Sequence, residues 1–178
     1  MIMLVTGGAA SGKSAYAEEV LLSAPGPHVY IATLRVYGDE ERQRIARHKQ
    51  LRAGKGFQVI ECSENVAALT LPQELCGGTV LLECLGDLVA NEMYEPETFA
   101  VRANRVVEQH VLEGIAALEK QCTALIVVTN EVGADGCTYS PETENYQHLL
   151  GRLNCLIAAK ASKVVECCAG QPYCIKEM

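Results

Sequence analysis

The chain has 178 residues, 49% apolar and 21% charged, a balance that fits one globular domain with a continuous core and excludes a disordered or low-complexity protein. Its formal net charge of −7 offers no overall attraction to nucleic acid or an anionic membrane, so phosphate binding has to be built locally. No apolar run reaches the ~18 residues of a membrane span and no secretory signal is visible, which gives a cytoplasmic location as the expectation.

Taken in order, short apolar runs alternate with helical stretches, the pattern of a parallel sheet covered by helices. Strands are expected at Ile2–Thr6, His28–Ala32, 58–62, Thr79–Glu83, 125–130 and 164–168, with a further edge strand at 173–176. Helices are expected at 13–22, 39–52, 65–75, 85–94, 97–120 and 142–161. Residues 1–178 read as one P-loop NTPase-like (RecA-like) α/β domain, with a mostly parallel sheet of about seven strands. The nine cysteines form no CxxC pair and no zinc-like cluster. Most read as small core hydrophobes, reduced rather than paired in disulfides.

The strongest motif is Gly7-Gly8-Ala9-Ala10-Ser11-Gly12-Lys13-Ser14, a GxxxxGK[ST] sequence between a strand and a helix. Small residues let backbone N–H groups curl around phosphate oxygens, Lys13 adds a positive charge, and the Ser14 hydroxyl is suited to Mg²⁺. A P-loop site also needs a carboxylate at the end of a neighbouring strand. Glu83 supplies it at the end of Thr79–Glu83, with Asp87 the competing candidate one helical turn on. On the helix expected at 39–52, positions three and four apart align Glu41, Arg44, His48 and Arg52. That stripe reads either as a solvated face with a surface histidine or as an imidazole between two guanidiniums, placed to hold an oxyanion. Residues 129–133 run from a strand into polar loop, suited to substrate contact or to loop shaping. Arg152 reads equally as a phosphate ligand or as a side chain lying along its helix.

With these pieces in order, the sequence resembles the bifunctional adenosylcobinamide kinase and adenosylcobinamide-phosphate guanylyltransferase family of cobalamin biosynthesis. The resemblance rests on TGGAASGKS at 6–14, YIAT at 30–33, DEE at 39–41, RIARHK at 44–49, LLEC at 81–84, TNEVG at 129–133 and GRLN at 151–154. It implies two reactions, phosphorylation of adenosylcobinamide and then GMP transfer from GTP to adenosylcobinamide phosphate through a guanylyl-histidine. The histidine matching the family's is His48, with Lys13 as the second catalytic residue. The resemblance further implies nucleotide contacts from Gly8, Ala9, Ala10, Ser11, Gly12, Lys13, Ser14 and Ala15. It adds Thr33, Leu34 and Arg35, then Lys49, Gln50, Leu51 and Arg52, and finally Glu61 and Glu83. Mg²⁺ at Ser14 and Glu83, GTP and ATP as substrates, and a homotrimer complete the expectation.

Two stretches depart from the family pattern. Arg47-His48 stands where many members carry His-His, and the loop after Gly133, expected near the substrate, reads Ala134-Asp135-Gly136-Cys137-Thr138-Tyr139. A P-loop kinase with an altered acceptor, or a nucleotide-dependent switch, is the alternative, although no NKxD guanine motif is present.

Overall fold

The computed structural model describes residues 1–35, 54–95, 97–133 and 135–178. Seven strands form one sheet: β1 (Ile2–Thr6), β2 (His28–Ala32), β3 (Gln58–Glu61), β4 (Thr79–Glu83), β5 (Ala124–Val128), β6 (Lys163–Cys168) and β7 (Gln171–Glu177). Their spatial order is β3-β2-β4-β5-β1-β6-β7. Every neighbouring pair is parallel except β6 and β7, which form an antiparallel hairpin. All seven expected strands are present within a few residues, and β5 stands between the P-loop strand β1 and the acid-bearing strand β4, as the RecA-like arrangement requires.

The central strands β1, β4 and β5 are apolar almost throughout because both faces of the sheet are covered. On one face lies α1 (Lys13–Ser23), which buries Ala17 and Leu21, one turn apart, among Met3, Val5, Tyr30, Leu81, Ile126 and Val165. The other face carries α2 (Leu85–Glu92), α3 (Asn104–Glu119) and α4 (Pro141–Lys160) over a larger core. Helix α3 buries Val107, Val111, Ile115 and Leu118, the spacing of a one-sided apolar stripe. Helix α4 starts as its sequence dictates. Ser140 accepts from Thr143 N at 3.3 Å, Pro141 occupies the first turn, and Glu142 and Glu144 face its positive end.

Two helix expectations need correcting. Residues 65–75 form two 3₁₀ turns, Val66–Ala68 and Gln73–Leu75, rather than one helix. Asn65 is left-handed at φ 50° and Pro72 cannot continue a helical hydrogen-bond ladder. The helix expected at 97–120 begins only at Asn104, because Phe99 is left-handed (φ 55°) and Tyr94 pairs with Val101 in an antiparallel bridge. The helix expected at 39–52 lies outside the described residues. The cysteine reading is also corrected. Only Cys84 and Cys167 are buried, Cys62 and Cys122 are intermediate, and the other five are exposed; all nine are free thiols. Among the described residues no helix is long and apolar enough to cross a membrane.

Candidate active site

Parallel strands bring the chemistry to one edge of the sheet. Register places Glu61 beside Ala32, Ala32 beside Glu83, Glu83 beside Val128, and Val128 beside Val5. These residues form one row along the edge where β1 delivers the P-loop, with about 4.8 Å between neighbouring strands. Glu83 is therefore about 10 Å and Glu61 about 19 Å from β1.

The P-loop is a backbone cradle braced from below. Gly12 adopts φ 92°, which an L side chain resists, and a Cβ there would sit 3.0 Å from Gly170 Cα. A Cβ at Gly7 would meet Cys167 O at 2.5 Å, so this end of the loop lies directly on β6. Gly170, in the β6–β7 turn, donates its N–H to Ser11 O at 2.9 Å, a support that nothing in the motif announces. Gly8 is half-buried, Ala9, Ala10 and Ala15 are exposed, and Ser11 and Lys13 are buried. The Lys13 ammonium donates to Gly8 O at 2.9 Å, which keeps its charge over the loop. Ser11 Oγ has no hydrogen-bond partner, alone among the buried side-chain nitrogens and oxygens of the described residues.

Ser14 Oγ donates to Glu83 Oε1 at 2.5 Å, joining the P-loop to β4. Of the two candidate carboxylates, it is Glu83 rather than Asp87 that touches the P-loop serine. Asp87 is engaged elsewhere. It accepts from Cys84 Sγ at 3.0 Å, and burial first, then the Asp87 charge, push the Cys84 thiol well above its ordinary range, so it stays a donor. The other Glu83 oxygen accepts from Tyr30 Oη at 2.6 Å, a contact absent from the sequence reading.

Of the YIAT segment and its sequel, Thr33 is fully buried, and its hydroxyl donates to Cys84 O at 2.7 Å. Leu34 and Arg35 are half-buried, and Arg35 pairs with Glu64 at 3.5 Å. Asn91 of α2 donates to Thr33 O and Ser63 O, both at 2.8 Å, and so ties the ends of β2 and β3 to the helix that follows Glu83. Glu61 is exposed at the end of β3. His48, Lys49, Gln50, Leu51 and Arg52 lie outside the described residues.

A cleft of about 610 Å³ opens beside the P-loop, between Ala9 on one wall and Glu131, Val132, Gly133, Asp135, Tyr139, Tyr146 and Gln147 on the other. Residues 129–133 divide between the loop's own hydrogen bonds and the cleft wall. Thr129 and Asn130 shape the loop: Thr129 Oγ1 donates to Asn154 Oδ1 at 2.7 Å, and Asn154 Nδ2 donates to Asn130 O at 3.4 Å. Glu131, Val132 and Gly133 line the cleft, and Glu131 N donates to Gly7 O at 3.2 Å. The Tyr139 hydroxyl donates to Asp135, which holds that carboxyl below its ordinary range and the phenol above its own. Burial pushes the Tyr146 phenol up to about 12, so it remains a neutral donor, 3.3 Å from Gly86 O. Arg152 is engaged across to a neighbouring helix. It grips Glu108 on α3 through both carboxylate oxygens, on an exposed helix face.

A glycine-rich loop with a buried lysine, and a serine hydroxyl paired to a strand-end carboxylate beside an open cleft, define a P-loop nucleotide-binding protein. The family model described as cobinamide kinase / cobinamide phosphate guanyltransferase matches residues 3–175, and the chain belongs to that family. It is similar to the bifunctional adenosylcobalamin biosynthesis protein CobU of Salmonella typhimurium strain LT2, 32% identical over 171 residues that cover 92% of this chain and 93% of that protein. The bifunctional adenosylcobalamin biosynthesis protein CobP of Pseudomonas aeruginosa is 27% identical over 97% of this chain and 96% of its own length. Among solved structures, a Pyrococcus horikoshii OT3 protein from structural-study project PH0250 shares the fold with a TM-score of 0.55 at 8% identity, covering 99% of this chain and 86% of that one.

Proposed function

We propose that this chain catalyses both reactions of its family at the site described above. It phosphorylates the hydroxyl of adenosylcobinamide, then transfers GMP from GTP to the resulting phosphate through His48. The observation that carries the reading is the Ser14–Glu83 pair across the P-loop and β4. It supplies, beside a phosphate cradle, the hydroxyl and carboxylate that a nucleotide-bound divalent cation requires.

Ser14 and Glu83 are the residues that hold Mg²⁺, and their oxygen-only donor set suits a hard cation. When bound, Mg²⁺ supplies neutralisation of charge on the phosphate oxygens. The P-loop amides and Lys13 grip the β- and γ-phosphates of GTP or ATP and stabilise the charge that builds on them during transfer. In the kinase step the acceptor hydroxyl attacks the γ-phosphorus, the bond to the β-phosphate oxygen breaks, and the nucleoside diphosphate leaves. The cleft beside Ala9 is the space for that acceptor, and positioning carries most of the rate.

In the transferase step a neutral ring nitrogen of His48 attacks the α-phosphorus of GTP and pyrophosphate departs. The acceptor phosphate then displaces histidine and takes the guanylyl group. Thr33, Leu34, Arg35, Lys49, Gln50, Leu51, Arg52 and Glu61 are the residues proposed to follow the nucleotide away from the P-loop. A homotrimer belongs to the same reading.

The test is incubation with Mg²⁺ and GTP labelled at the α-phosphate, followed by denaturation. Wild type is expected to keep an acid-labile, alkali-stable label that His48→Ala lacks. Absence of label on wild-type protein that still binds GTP would leave a kinase alone and remove the covalent role of His48.

A further inference from the structure

Tyr30 heads the fully buried side chains of the described residues by size, and it carries a hydroxyl into a layer whose other buried members are aliphatic residues, Met3 and the thiols Cys84 and Cys167. A phenylalanine would bury the same ring with no polar atom to satisfy, so the oxygen has to be accounted for by what it touches. It donates to Glu83 Oε2 at 2.6 Å, while Glu83 Oε1 takes the Ser14 hydroxyl at 2.5 Å. Sheet geometry explains the reach. Tyr30 is level with Leu81, so Glu83 lies two residues further along β4, diagonal to it and on the α1 face, a separation that a long side chain spans. Stacking on Phe57, with ring centroids 5.4 Å apart and planes 24° apart, holds the phenol in place.

We infer that Tyr30 is a positioning residue, whose hydroxyl fixes the rotation of the Glu83 carboxylate so that Oε1 faces Ser14 and a nucleotide-bound divalent cation. This rests on the proposed role of Glu83 in that cation site. The terminal torsion of a glutamate is broad, and a carboxylate held at one oxygen still rotates about it. Donors on opposite oxygens remove that freedom before the cation arrives, as outer hydrogen bonds do for metal ligands in general. A hydroxyl that merely satisfied a buried acceptor would affect stability and leave cation affinity alone.

The two roles separate in a binding experiment that needs no turnover. Mn²⁺ is titrated, with free ion followed by electron paramagnetic resonance, into protein saturated with the α,β-methylene analogue of GTP and no acceptor. Tyr30→Phe is expected to weaken Mn²⁺ about tenfold while leaving analogue binding in chelator unchanged. In a Glu83→Gln background the same substitution is expected to change nothing more. Unaltered Mn²⁺ affinity in Tyr30→Phe, with Glu83→Gln clearly weakened, overturns the inference alone. Unaltered affinity in Glu83→Gln overturns the assignment of Glu83 and the inference with it. Should the phenylalanine variant not fold, Tyr30→Met, which also fills the layer without a hydroxyl, carries the same expectation.

Discussion

Four of the nine thiols are shielded from water, Cys84 and Cys167 buried and Cys62 and Cys122 partly so. In each, burial is the main reason that the thiol is raised above its ordinary range, and for Cys122 it reaches about 11 against 9.0. The thiolate is the reactive form, so at neutral pH the Cys122 thiolate population falls about a hundredfold before steric protection is added. Maleimide treatment of native protein is expected to modify Cys76, Cys137, Cys155, Cys168 and Cys174 first and the half-buried Cys62 and Cys122 more slowly, with Cys84 and Cys167 reacting only after unfolding. Peptide mapping reads the outcome, and fast labelling of Cys84 or Cys167 would show that the start of α2 or β6 opens to solvent. At this scale, Lys13, Ser14 and Glu83 were legible because a motif with fixed spacing needs a carboxylate at a strand end. The Tyr30–Glu83 bond was not, because a diagonal contact depends on which strands are neighbours and in what register. Exposure of the cysteines was equally hidden, since their spacing says nothing about which helix or strand face they occupy.

Among the elements, strands were easier to read than helices. A parallel strand covered on both faces is a short apolar run between turn residues, a pattern that survives without tertiary information. The 3₁₀ turns at Val66–Ala68 and Gln73–Leu75 were misread because their apolar residues recur at helical spacing, while Asn65 and Pro72 break the ladder. The β6–β7 hairpin was legible as strand but not as support for the P-loop, and its turn offers a graded test. Gly170 has φ 76° with open space around its Cβ position, whereas Gly12 has φ 92° and faces the Gly170 backbone at 3.0 Å. Gly170→Ala then carries the conformational cost alone, about 1–2 kcal/mol. Gly12→Ala adds a backbone clash and is expected to cost more, with loss of nucleotide binding. Urea unfolding ranks the two, and an equal cost would mean that the hairpin yields freely beneath the loop.

Across the whole molecule, α2 links the site to a buried ionic cluster on the far side of the layer. It begins directly after Glu83 and Cys84 and ends at Glu92, whose side chain is 4% exposed. The Glu92 carboxylate accepts from Asn65 N at 2.6 Å and from Arg102 Nη1 at 3.1 Å, with His110 Nδ1 also at 3.1 Å. Arg102 further donates to Glu92 O at 2.8 Å, closing the segment between α2 and α3 onto the end of α2. A buried carboxylate deprived of its guanidinium keeps its desolvation cost and loses the compensating attraction. Arg102→Ala is therefore expected to destabilise the fold by about 3 kcal/mol. Glu92→Gln in that background should recover part of the loss, because it removes the charge left stranded. Neither residue touches the P-loop, so kcat measured well below the melting temperature is expected to hold while the unfolding midpoint drops. A fall in kcat that parallels the loss of stability would instead mean that Asn91, one residue before Glu92, passes the loosening to Thr33 and the end of β2. The double-mutant cycle distinguishes the two, since a coupling confined to stability leaves the rate of the Glu92→Gln variant at the wild-type value.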